Sequence, residues 1–177
     1  MNKPIISNVP FSSFGDAKRD GSIVKSNDWH TPPEIFNELG IKFDLDVASP
    51  IGGVSWIPAD NYYTEIQDGL KKEWYGRVWC NPPYGRETNK WLNKFINHNN
   101  GIALVFARTD TQWFHEIALK GDAINFKQKR ISFYNPNFKK NTSGTGSMFI
   151  AMGKECVNAI KKIDGWFVLL NKDFEIG

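Results

Sequence analysis

The chain is poor in the residues that build disulfide frameworks and metal centres. It has only two cysteines, Cys80 and Cys156, far apart and in no CxxC pair. That usage reads as reduced thiols in a cytosolic protein. The three histidines, His30, His98 and His115, lack ligand spacing, and "HEIAL" at 115–119 has no second histidine for a zinc protease helix. No metal is therefore expected. No apolar stretch approaches the roughly 18 residues of a membrane helix, and residues 1–10 lack the charged-then-apolar layout of a secretion signal. A cytoplasmic protein without a membrane partner is the expectation. A phosphate-binding GxxxxGK[ST] is missing, "GTG" at 144–146 falls between two strand-like runs, and no internal repeat is present.

What remains suits one core. Of 177 residues, 41% are hydrophobic, with 7 Trp and 13 Phe, enough for a single domain. We expect that domain over residues 26–177, with residues 1–25, rich in Ser, Gly, Asn and Asp, as a tail or arm. The net charge of +3 is unevenly spread. Residues 41–70 carry one Lys against five acids, and residues 120–140 carry six bases against Asp122. The first segment suits a ligand with hydroxyls and an ammonium, and the second suits phosphates. Two ordinary solvated faces are the plain alternative.

Periodicity predicts alternating elements. "TPPEIFNELG" is read as a helix with Thr31 as N-cap, Pro32 at the first helical position, Glu34 closing a capping box and Gly40 as C-cap. "IKFDLDVAS" alternates like a strand, and 56–74 reads as loop-rich and aromatic. "RVWCN" is a short buried strand, "ETNKWLNKFINH" a helix, and "IALVFA" a continuous apolar run for a central parallel strand. "TQWFHEIALKG" predicts a helix to Gly121, and "AINF" another strand. "RISFY" and "SMFIAM" are strands separated by a long basic loop over 135–147, followed by a helix in "CVNAIKKI" and a strand in "WFVLL". This order implies an α/β fold, with a mainly parallel sheet, helices on both faces and an antiparallel edge. Ligands in such sheets bind beyond the carboxyl ends of the strands.

"WCNPPYG" at 79–85 sits at such an end. Pro82 and Pro83 cannot continue a sheet ladder, and each pushes the preceding residue into extended backbone. The product is a stiff turn. Asn81 offers a side-chain carbonyl, Pro82 a backbone carbonyl and Tyr84 a flat ring. Two acceptors beside a stacking surface fit a planar amino group such as that of adenine. A plain diproline turn with a packed tyrosine is the alternative. Arg108, Thr109 and Gln112 follow "IALVFA" and should face the same crevice.

"NPPY" matches the catalytic motif of amino-group methyltransferases that use S-adenosylmethionine. With "WHTPPEIFNELG", "FDLDVAS", "NYYTEIQDGLKKEW", "VWCNPPYG", "FARTDTQWFHE" and "KRISFYN", over most of residues 29–152, the chain resembles the phage-associated DNA N-6-adenine methyltransferase (Dam) family. The resemblance implies a Rossmann-like methyltransferase fold. It also implies methyl transfer from S-adenosylmethionine to the N6 amino group of an adenine flipped out of double-stranded DNA. It places Trp29, Thr31 and Pro32 at the methionine end of the cofactor. Asp46, with Ala48 beside it, would meet the ammonium or ribose hydroxyls, and Asp68 the cofactor adenine. Asn81, Pro82, Pro83 and Tyr84 would form the catalytic loop. Arg108, Thr109 and Gln112 would meet DNA, Arg130, Lys139 and Lys140 its phosphates, and loop 135–147 would read bases. The glycine-rich FxGxG of many methyltransferases is absent, with "FDLDVAS" in its place. RNA bases, a protein glutamine amide, or a catalytically inactive DNA-binding relative are the competing expectations.

Overall fold

The computed structural model describes residues 17–19, 22–24, 29–135 and 139–171. A seven-stranded sheet forms its centre, in the order β11-β7-β10-β6-β5-β3-β4. These strands are β3 (Phe43–Asp46), β4 (Ala59–Tyr62), β5 (Val78–Cys80), β6 (Gly101–Phe106), β7 (Ala123–Lys127), β10 (Ser147–Met152) and β11 (Gly165–Leu169). β4, β3, β5 and β6 pair in parallel, and β10 pairs antiparallel with both β6 and β7, as β11 does with β7. Sequence reading expects a mainly parallel sheet, but the pairs divide evenly, three and three. The cause is β10. All six of its residues are buried, and it enters the middle of the sheet between β6 and β7 instead of lying at an edge.

Four helices among the described residues complete the layers: α1 (Pro33–Leu39), α2 (Thr88–His98), α3 (Gln112–Glu116) and α4 (Lys154–Lys161). α1 and α4 bury Ile35, Phe36, Leu39, Val157 and Ile160 in one core with Phe43, Trp79 and Leu104. α2 and α3 bury Trp91, Leu92, Phe95 and Phe114 in a second core with Leu45, Val78 and Val105. Successive residues of β5 thus serve different cores, Trp79 the first and Val78 and Cys80 the second, as a period of two requires.

Several boundaries differ from the sequence reading. Helix α1 begins at Pro33, with Pro32 in extended backbone as its N-cap and no side-chain cap, so Thr31 is not the cap. Its C-terminus is as expected: Gly40 takes φ 63°, and its N–H donates to Phe36 O. α3 stops at Glu116 and passes into a 3-10 turn over Ala118–Lys120. Residues 59–62, expected within a loop, form the edge strand β4, whose side chains are mostly exposed and carry no apolar alternation. The loop expected over 135–147 is partly a strand. β9 (Lys139–Thr142) pairs antiparallel with β8 (Ser132–Asn135) in a separate two-stranded sheet. Within the expected arm, β1 (Ala17–Arg19) and β2 (Ser22–Val24) form an antiparallel hairpin.

Candidate functional site

β3, β5 and β6 end side by side at their carboxyl edges, and three loops leave from there. After β3 the chain moves outward to β4, then returns to the other side of β3 as β5. The crevice between β3 and β5 is therefore the switch point at which open α/β sheets bind ligands. Asp46 closes β3, and Asn81 follows β5.

A cleft opens at that point. Asn81, Pro82, Pro83 and Tyr84 line one side. Trp29, His30, Thr31, Asp46, Ala48, Pro50, Ile57 and Trp79 complete the wall.

Hydrogen bonds order the diproline corner. Asn81 Nδ2 donates to Thr31 Oγ1 at 3.4 Å, and the Tyr84 hydroxyl donates to Asn81 Oδ1 at 3.2 Å. The Tyr84 ring stacks on Phe106 of β6, with centroids 4.0 Å apart and planes 22° apart. Burial raises the Tyr84 phenol above its ordinary value, so it remains a hydroxyl donor near neutral pH. Thr88 Oγ1, in the first turn of α2, receives Gly85 N–H at 3.1 Å and donates to Pro83 O at 3.4 Å. The turn is therefore braced from β6 and from α2.

The opposite wall carries the acid. Asp46 is 3% exposed, and its Oδ1 accepts Ala48 N–H at 3.2 Å. Burial pushes its carboxyl up to about 7, against which the Ala48 hydrogen bond works. Burial, with the Asp46 charge as a lesser cause, raises the neighbouring Cys80 thiol well above its ordinary value. The rim is held from further away. Trp56 Nε1 donates to Thr31 O at 2.9 Å, and the Trp56 ring meets Tyr134 edge-on at 5.2 Å. His30 and Tyr134 exchange backbone hydrogen bonds of 2.8 and 2.9 Å, tying β8 to the cleft wall.

A family model described as DNA N-6-adenine-methyltransferase (Dam) matches residues 22–164. The chain belongs to that family. The Dam match encloses every cleft residue and ends just before β11. Searches of curated proteins and of solved structures gave no match.

Of the other residues singled out from sequence, Pro32, Asp68, Arg108, Thr109, Gln112 and Arg130 lie outside the cleft wall. Pro32 is buried as the N-cap of α1. Asp68 takes φ 56° in a turn, accepts Leu70 N–H at 3.2 Å and pairs with Lys71 at 2.9 Å. The following Gly69 has no room for a Cβ, because Val47 O and the Trp91 ring fill that position. Lys94 Nζ reaches Gly69 O at 3.0 Å and Leu70 O at 2.8 Å, fastening this acidic segment to α2. Arg108, Thr109 and Gln112 are exposed just beyond β6, beside the Tyr84–Phe106 stack, and Gln112 Nε2 donates to Glu116 at 2.7 Å. Arg130 is exposed between β7 and β8. The side chains of Lys139 and Lys140 lie outside the described residues. Sequence reasoning missed His30, Pro50, Ile57 and Trp79 in the wall, and Trp56 and Phe106 as its supports. Only Phe106, at the end of an apolar strand beside the diproline turn, carried a local signal.

Proposed function

We propose that this protein transfers a methyl group from S-adenosylmethionine to the N6 amino group of an adenine flipped out of double-stranded DNA. One observation carries the reading: a single cleft joins Asn81, Pro82 and Tyr84 to Asp46 and Trp29. We read the β4-β3-β5-β6 run, wound outward from β3, as the nucleotide-binding half of a Rossmann-like methyltransferase sheet.

The donor set fits the cofactor. Asp46 offers a buried carboxylate to an ammonium or to ribose hydroxyls, and Ala48 and Trp29 give an apolar wall beside it. Asp68, already engaged with Lys71 and its own turn, is left out of that set. S-adenosylmethionine supplies a methyl carbon bonded to a sulfonium, which a lone pair can attack. The chain's own residues prepare that lone pair. An adenine amino nitrogen is a weak nucleophile because its lone pair is delocalised into the ring. Asn81 Oδ1 and Pro82 O accept its two N–H bonds and so favour a pyramidal nitrogen with the lone pair directed outward. Catalysis here is orientation and electrostatics, with no strong base needed. Tyr84, backed by Phe106, offers its ring to the flipped base, where such stacking contributes roughly 1–3 kcal/mol. The Tyr84 hydroxyl donates to one lone pair of the Asn81 oxygen, and the second is left for the base. Arg108, Thr109 and Gln112, one strand away, are placed to meet the DNA around the extruded base, with Arg130, Lys139 and Lys140 assigned to phosphates.

Incubation with labelled cofactor and a panel of DNA, RNA and protein acceptors tests the reading. Label in N6-methyladenine of duplex DNA is the expected result. Label only in RNA or in a glutamine amide would move the assignment to those acceptors. Absence of cofactor binding would leave an inactive relative.

A further inference from the structure

The Asn81 amide is held at both ends. Its oxygen accepts from Tyr84 at 3.2 Å, and its nitrogen donates to Thr31 Oγ1 at 3.4 Å. Asn81 Oδ1 has a second lone pair, with which it can receive an amino hydrogen beside the Tyr84 hydroxyl. Thr31 holds the other end of the amide. It is 1% exposed, and its carbonyl is fixed by Trp56 Nε1 at 2.9 Å. The preceding residue, His30, is bridged through two backbone hydrogen bonds to Tyr134. Thr31 is therefore part of a rigid wall built from three separate stretches of chain.

The chemistry makes that hold consequential. The oxygen and nitrogen of an amide have nearly the same shape, and a half-turn of the side chain exchanges them. With the oxygen toward the cleft, Asn81 accepts from an amine. With the nitrogen there, two donors face each other and the amine is repelled. We infer that Thr31 is a positioning residue: its hydroxyl accepts from Asn81 Nδ2 and keeps Oδ1 turned to the methyl acceptor. The inference rests on methyl transfer at this cleft. It gives Thr31 a role toward the acceptor's amino group, where family resemblance assigns it to the methionine end of the cofactor.

Three variants separate these roles. Thr31→Val keeps the branched shape and removes the hydroxyl, Thr31→Ala removes both, and Thr31→Ser keeps the hydroxyl alone. Each is compared with the wild type, as folded protein, for cofactor affinity, KM for duplex DNA and single-turnover kcat. Thr31→Val and Thr31→Ala are expected to lose about a hundredfold in kcat, the scale of a misplaced reacting group. Cofactor affinity should stay nearly unchanged, and Thr31→Ser should recover most of the rate. An active wild type with an equally active Thr31→Val would overturn this inference alone. So would a loss shared by Thr31→Ser, or a loss of cofactor affinity with kcat intact. A wild type inert toward every acceptor would overturn the transfer reading and this inference together.

Discussion

Each half of the sheet holds one aspartate and one asparagine at a structurally critical position, and their surroundings differ. In the antiparallel half, Asp122 Oδ2 accepts Gly153 N–H at 2.7 Å at the start of α4, and Oδ1 accepts Asn171 Nδ2 at 2.8 Å. Asn125, fully buried in β7, donates twice from Nδ2, to Ile160 O and Ile163 O, each at 2.9 Å. Those bonds tie β7 to the C-terminal end of α4 and the turn after it, where Ile160 O also accepts Ile163 N–H at 3.2 Å. In the parallel half, Asp46 and Asn81 open on the cleft. Asp46 accepts Ala48 N–H at 3.2 Å, and Asn81 is engaged by the hydroxyls of Thr31 and Tyr84. The same two residue types thus do different work. Asp122 and Asn125 brace the fold through other groups of the chain, with Asn125 Oδ1 left unpaired in the interior, whereas Asp46 and Asn81 line a cleft.

Substitutions at the four positions can break or sharpen that contrast. The largest effect on stability is expected at Asn125. Asn125→Ala removes a donor from Ile163 O and from Ile160 O, the second of which keeps Ile163 N–H, a cost of about 1–3 kcal/mol. Denaturant titration should show a loss of roughly 2 kcal/mol, with methylation by the remaining folded protein unchanged. A matching fall in kcat would dissolve the distinction.

Asp46 should act in the opposite direction. Its folded pKa of about 7 lies above its ordinary 3.8, so the folded chain holds a proton that the unfolded chain has lost between those values. Stability attached to this group is full below about pH 4 and declines as pH rises toward 7, by about 1.4 kcal/mol per pH unit at most. Asp46→Asn removes the buried charge and should raise the melting temperature at pH 8, with a smaller gain at pH 5. The same variant should weaken S-adenosylmethionine binding, and in the wild type that binding should fall as pH drops through 7. A pH-independent affinity would remove Asp46 from the cofactor wall.

Tyr84 gives the smallest shift. Tyr84→Ala should weaken capture of the flipped base by about 1–3 kcal/mol, read as a higher KM for duplex DNA with cofactor affinity preserved. Tyr84→Phe keeps the ring and frees the Asn81 oxygen, so its KM should not rise. An increase equal to that of Tyr84→Ala would assign the hydroxyl a direct role.

How far the sequence showed this site depends on how local each signal is. The diproline turn after "VWC" is visible because proline acts on its own backbone and its neighbour's. Strand β6 is visible because all six of its residues are buried. β4 and β9 are not, because exposed or polar strands owe their existence to the partner they pair with. Thr31 shows the limit most clearly. Locally "TPPE" is a capping signature, yet the helix starts two residues later and the Thr31 hydroxyl turns to Asn81, 50 positions away. Trp56 and Phe106 support the site through similarly distant contacts that no periodicity encodes.

The most direct measurement compares the wild type with Asn81→Ala for transfer of a labelled methyl group to duplex DNA, followed by nucleoside analysis of the product. The account predicts N6-methyladenine from the wild type and a rate about 10²–10³-fold lower from the folded variant, the loss expected when one preorganised polar group is removed. Equal rates, or label on any other nucleoside, would contradict it.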